Sequence, residues 1–119
     1  MAKHALTDIA ADQLEQASAS SDGHSSVVLV GDDAGSLQQT VVALTEGNTI
    51  EARDSADNTT MQVLTGSVRV RTASGREDVC QGDLVEIPTE PHVIRAEEDT
   101  TVLLTESSEH ALGRAPQHR

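Results

Sequence analysis

Between residues 6 and 17 the apolar positions Leu6, Ile9, Ala10, Leu14 and Ala17 recur at spacings of three and four, which places them on one stripe of a short helix. Thr7 is expected to cap it, leaving Asp8 in the first turn, where a carboxylate complements free backbone N–H groups. Residues 18–26 have no period and a turn former at nearly every position. They read as a linker, with the helix an appendage to the rest of the chain.

From Val27 the pattern changes to short β-branched segments separated by turn chemistry. Strands are expected at 27–30, 37–45, 49–53, 59–65, 67–72, 76–80, 83–87, 92–96 and 100–105. Residues 67–72 alternate strictly, the mark of a strand with one wet face, whereas Val27–Val30 and Val41–Leu44 are apolar throughout and call for cover on both sides. Breaks at 32–35, 46–48, 73–75, 81–83 and 97–99 suit a sandwich or barrel. After Glu106 the chain has little apolar content and includes Gly113 and Pro116, so 107–119 is expected to be a flexible tail. The expected organisation is helix and linker over 1–26, β-barrel over 27–106, and tail.

Composition narrows the class. With 119 residues there is room for one small domain, and 20 acidic against 8 basic residues give a net charge of −12. That charge opposes phosphate backbones and acidic membrane surfaces. The absence of Phe, Tyr and Trp removes the platforms on which bases stack, so no nucleic-acid partner is expected. No apolar run approaches the roughly 20 residues that span a bilayer, and Asp8 interrupts the N-terminus before a secretory hydrophobic region can form. The single Cys80 has no partner for an intramolecular disulfide or a zinc knuckle and is expected to be a small buried strand residue, which agrees with a reducing, cytoplasmic location. Leu, Ile and Val must supply the core without aromatic help, so a homodimer is expected to bury further apolar surface.

Two stretches bear on function. Gly47 and Gly66 hold the register of a motif that runs Gly, five residues, His-X-His, three or four residues, Glu, six residues, Gly. Gly82-Asp83-Leu84-Val85-Glu86-Ile87-Pro88-Thr89-Glu90-Pro91-His92 matches a second motif, Gly, five residues, Pro-X-Gly, two residues, His, with one residue fewer before His92. On these residues, and on Val63-Leu64-Thr65-Gly66-Ser67-Val68, the segment 36–105 resembles the small single-domain cupins. The resemblance implies an all-β jelly-roll barrel, a double-stranded β-helix, here with a short N-terminal helix. Gly66 and Gly82 suit barrel corners because glycine tolerates positive φ and close backbone approach.

The resemblance places the four positions that grip a divalent metal in many cupins at Arg53, Ser55, Thr59 and His92. Only His92 is a competent ligand, and the Arg53 guanidinium would repel a cation, so no metal cofactor is expected. Asp54, Asp57 or Glu51 could restore ligands through a shifted register, but a one-residue slip turns a strand side chain to the opposite face. Arg53 with His92 could instead receive an anion, or Arg53 could pair with those same carboxylates. The expected pocket comprises His92, Arg53, Thr59 and Met61, with Gln62 on the outer face by alternation. His4, His24, His110 and His118 receive no role. The chain has no nucleophile elbow, phosphate loop or CxxC pair. The expected function is therefore non-enzymatic binding of a small ligand, a carboxylate among the candidates, or an interaction role. The alternative is a metal-dependent isomerase or dioxygenase using non-standard ligands.

Overall fold

A computed structural model describes residues 1–31, 37–52 and 58–107. Helix α1 spans Leu6–Ala19. Among the described residues it is followed by β1 (His24–Val30), β2 (Leu37–Leu44), β3 (Thr49–Ala52), β4 (Asn58–Thr65), β5 (Ser67–Thr72), β6 (Gly75–Cys80), β7 (Leu84–Glu86), β8 (His92–Ala96) and β9 (Thr100–Ser107). The strands form a five-stranded sheet in the order β1-β2-β9-β4-β7 and a four-stranded sheet in the order β3-β8-β5-β6. All strand pairings among the described residues are antiparallel.

The period of two read from the sequence is what makes a two-layer core possible. Val42, Leu44, Met61, Val63 and Val102 point inward from the larger sheet and meet Val68, Val70, Val79, Ile94 and Ala96 from the smaller one, with Ile50, Val85 and Leu104 packed at the margin. This is the architecture of a jelly roll, closed by aliphatic side chains alone.

Helix α1 packs against the outer face of the larger sheet, where Ala10 and Ala17 are buried. The Ser25 hydroxyl lies 2.7 Å from both the main-chain carbonyl oxygen and the Oε1 of buried Gln13, tying helix to β1. The helix is thus a third layer rather than an appendage. It explains why Val41–Leu44 is buried on both faces: Val42 and Leu44 look into the sandwich, Val41 and Ala43 toward the helix side. Val27–Val30 departs from that expectation. β1 is an edge strand of its sheet, and Val28 on it is 49 % exposed.

Three further local expectations are corrected. Helix α1 begins one residue before Thr7, so Ala5 occupies the cap position and makes no side-chain cap bond. The expected linker shrinks to residues 20–23, because Ser25 and its neighbours are recruited into β1 by pairing with β2. Cys80 is exposed: strand alternation buries Val79 and turns the thiol outward. The expected turn at 32–35 and the expected tail beyond Ser107 lie outside the described residues.

The sharpest constraint on the chain sits at Gly66, between β4 in one sheet and β5 in the other. Its φ is +86°. A Cβ there would strike the Asp99 carbonyl oxygen and come within 2.8 Å of Thr100 Cα. Only glycine permits both the left-handed backbone and this approach.

Candidate functional site

His92 opens β8 directly after Pro91, which stops the preceding segment from continuing as strand. The residue stands opposite Ala52 of β3 and Thr72 of β5, with its side chain on the inner face and only 6 % exposed. Nδ1 lies 3.0 Å from the Glu90 carbonyl oxygen. A carbonyl can only accept, so in the neutral ring Nδ1–H donates and Nε2 keeps its lone pair.

Around His92 runs a cleft of about 550 Å³ lined by Glu51, Ala52, Arg71, Thr72, Ala73, Pro91 and Val93. Its charged groups are the Glu51 carboxylate and the Arg71 guanidinium. Arg71 forms no hydrogen bond or ion pair with any described residue. An arginine fork with open donors can receive a carboxylate; Arg71 reaches this cleft from the outer sheet face and His92 from the inner one. Behind Thr72 a second cleft of about 340 Å³ carries the carboxylates Glu77, Glu86 and Glu90 along with Arg76.

The other expected site residues divide. Thr59 and Met61 alternate along the inner face of β4; Met61 is wholly buried, and Thr59 is 8 % exposed. The Thr59 hydroxyl oxygen is buried without a hydrogen-bond partner among the described residues. Thr59 is the second residue of β4 and His92 pairs with the last residue of β3, so both stand at the end of the sandwich where the chain crosses from one sheet to the other. Arg53 and Ser55, together with Asp54 and Asp57, lie outside the described residues. Gln62 is exposed on the outer face, as alternation requires.

Arg71 is the site residue that sequence reasoning missed. The register places Arg71 beside Thr72, which pairs directly with His92. The visible signal was the strict alternation of 67–72, which identifies Arg71 as outward-facing but not which cleft it borders.

Many cupins hold a divalent metal, so the donor set matters. Of the four implied positions, those described are His92 and Thr59, one imidazole and one hydroxyl that stays protonated. Among the described residues no three His, Cys, Asp or Glu gather as a metal-binding group. These residues do not make a cupin-type metal centre, which needs three or more such ligands.

No family model matches the chain, and no curated protein matches it. Solved structures do. A conserved protein of unknown function from Streptococcus pyogenes aligns at 24 % identity over 75 % of this chain and 77 % of that one, with a TM-score of 0.66. A cupin superfamily protein from Desulfitobacterium hafniense aligns at 16 % identity over 72 % and 78 %, with a TM-score of 0.66. A salicylate 1,2-dioxygenase from Pseudaminobacter salicylatoxidans aligns at 19 % identity with a TM-score of 0.71, over 88 % of this chain but only 34 % of the enzyme. At such identities the likeness is one of fold. No helix among the described residues is long and apolar enough to cross a membrane. Two facing antiparallel sheets, an aliphatic interior, a glycine corner at Gly66 and these structural neighbours together give the chain the fold of a small cupin barrel, with a helix laid on its outer face.

Proposed function

We propose that this barrel is a non-enzymatic binding module for a small carboxylate-bearing molecule, which enters the cleft at His92. One observation supports the reading above others: Arg71, with its donors uncommitted among the described residues, lines the same cleft as His92. In this reading the ligand carboxylate takes the Arg71 fork, and the His92 Nε2 accepts a hydrogen bond from a second polar group. Arg53 is proposed to complete the pocket; Thr59 and Met61, also expected there, are buried and are not among the residues that line this cleft. A wall without aromatic rings favours short aliphatic acids over sugars, whose sites usually offer stacking faces.

A cytoplasmic homodimer belongs to the same proposal. Leu84 is 67 % exposed on β7, at one edge of the larger sheet, aliphatic surface that a contact there would remove from water; Leu37 and Val28, 43 % and 49 % exposed, lie elsewhere on the sheet. Light scattering on eluting protein reads the mass directly; a monomer at all concentrations removes this part.

The binding proposal is tested by thermal shifts of the parent, His92→Ala and Arg71→Ala against short aliphatic carboxylates and salicylate. Saturable stabilisation in the parent, lost in both variants, is the expected result. An equal response in all three rejects it. A second reading, a metal-dependent cupin enzyme with non-standard ligands, draws on the fold likeness to the salicylate dioxygenase. It predicts one equivalent of Fe, Mn, Ni or Zn in protein purified without chelator, lost in His92→Ala.

A further inference from the structure

In a chain of net charge −12, the basic side chains among the described residues are Lys3, Arg69, Arg71, Arg76 and Arg95. All four arginines stand on the outer face of the four-stranded sheet. The inward positions on the same strands are Val68, Val70, Val79 and Ile94, so alternation turns each arginine outward. Register then opposes them in like-charged pairs: Arg69 faces Arg95 across β5 and β8, and Arg71 faces Arg76 across β5 and β6. Directly opposed like charges weaken a sheet, so the apo molecule holds an unfavourable arrangement that a bound anion would relieve.

Two of the four are partly compensated. Asp78 Oδ1 lies 2.8 Å from Arg69 Nε, and Glu97 Oε2 lies 3.3 Å from Arg95 Nη1. Arg71 has no such partner among the described residues. A depression of about 190 Å³ lies over this face, lined by Thr49, Arg69, Arg71, Val93, Arg95 and Glu97. With Asp78 bonded to Arg69 at its edge, three guanidiniums stand against two carboxylates, so the depression keeps a net cationic lining around Val93 and Thr49.

We propose that this depression binds a small multivalent oxyanion, one with two or more carboxylate or phosphate groups. Guanidinium forks match the geometry of both groups. More than one anionic group is required because Arg69 and Arg95 are each shared with a protein carboxylate. The occupant is small because the net charge of the chain repels polyanions that extend past the Debye length of about 10 Å. This depression adjoins the His92 cleft, with Arg71 and Val93 lining both, and is distinguished from it by Thr49, Arg69 and Arg95.

The test titrates citrate and inorganic phosphate into the full chain at constant ionic strength, with chloride as control, reading heat and backbone amide shifts. Saturable binding of one equivalent at this face is expected, read by amide shifts at Thr49 and Arg95, which line the depression and not the cleft; a second, His92-dependent equivalent belongs to the cleft. The citrate and phosphate arms decide between carboxylate and phosphate as the preferred group. Arg95→Gln should weaken the dissociation constant at least tenfold, and Arg95→Lys, which keeps the charge but loses the fork, should also weaken it. His92→Gln should remove any binding that belongs to the cleft while leaving the citrate-induced amide shifts at Thr49 and Arg95 in place, which separates this site from the cleft. Three results overturn the proposal: no saturable binding of either anion, a response that chloride reproduces, or loss of binding in His92→Gln with retention in both Arg95 variants. Shifts that track protein concentration rather than anion would assign the face to contact between copies of the chain and likewise overturn it.

Discussion

Arg69 and Asp78 stand directly opposite one another on β5 and β6, with Nε 2.8 Å from Oδ1. The hydrogen bond from Arg69 holds the Asp78 carboxyl below its ordinary value of 3.8, with the charges of Arg69 and Arg76 adding to the effect. The same bond occupies part of the Arg69 fork, so it tunes how cationic the outer sheet face is.

The sign of that shift sets a pH dependence. A carboxyl whose folded value lies below its unfolded value stabilises the fold above the unfolded value, and the contribution disappears as pH falls through the folded one. Asp78→Asn should therefore lower stability slightly at pH 7, and the gap between parent and variant should close in the window below about pH 4. The effect is small because the pair is largely in solvent. Urea unfolding of both proteins at neutral and acid pH measures it, and a gap of equal size at both pH values contradicts the assignment.

His92 is expected to hold its neutral ring as the Nδ1–H tautomer, because the Glu90 carbonyl at 3.0 Å can only accept. Nitrogen-15 spectra of the imidazole at a pH where the ring is neutral distinguish the tautomers. The Nε2–H form would show that the lone pair does not face the cleft and would remove the acceptor invoked for ligand binding.

Thr59→Val tests whether the buried hydroxyl is kept for function. An unpaired buried hydroxyl costs on the order of 1–3 kcal/mol, so its replacement by a methyl group of similar shape should raise stability by about 1 kcal/mol. If Thr59 belongs to the pocket, the same variant should bind carboxylates more weakly. Chemical denaturation and the thermal-shift panel together read both effects, and a destabilised variant would mean that the hydroxyl has a partner in solution.

Gly66→Ala and Gly82→Ala separate two costs. Both glycines have positive φ, +86° and +91°. A Cβ at Gly82 would meet nothing within 4 Å, whereas one at Gly66 would strike the Asp99–Thr100 backbone. Gly82→Ala should thus lose roughly 1–3 kcal/mol from backbone strain alone, and Gly66→Ala distinctly more. Equal losses in urea melts would place the constraint in φ and not in packing.

Much of the fold is legible in the chain itself. The period of two across 59–65 and 67–72 depends only on neighbouring residues, and it puts Met61, Val63, Val68 and Val70 on the inner faces where they stand. The same holds for Gln62, turned outward by its odd step along β4. The apolar stripe of α1 is equally local, but burial of Gln13 is not, because it depends on the Ser25 hydroxyl arriving from β1. Val28 departs from expectation for a related reason, because burial belongs to a position in a sheet and edges cannot be read from a run of residues, whereas Cys80 is turned outward by its one-residue step from buried Val79.

Which side chains share a face of a strand or helix is therefore a property of the amino-acid order, since it depends on backbone geometry over a few residues; where β1 begins depends on its pairing with β2, and the need for glycine at position 66 on the approach of Asp99 and Thr100. Three features arise only when the sheets assemble: Arg71 borders the cleft of His92, four arginines gather on one sheet face, and the Thr59 hydroxyl is enclosed without a partner among the described residues. Each of these joins residues distant in the chain through antiparallel register. Register is set by how two whole sheets pack, a property that no local pattern contains.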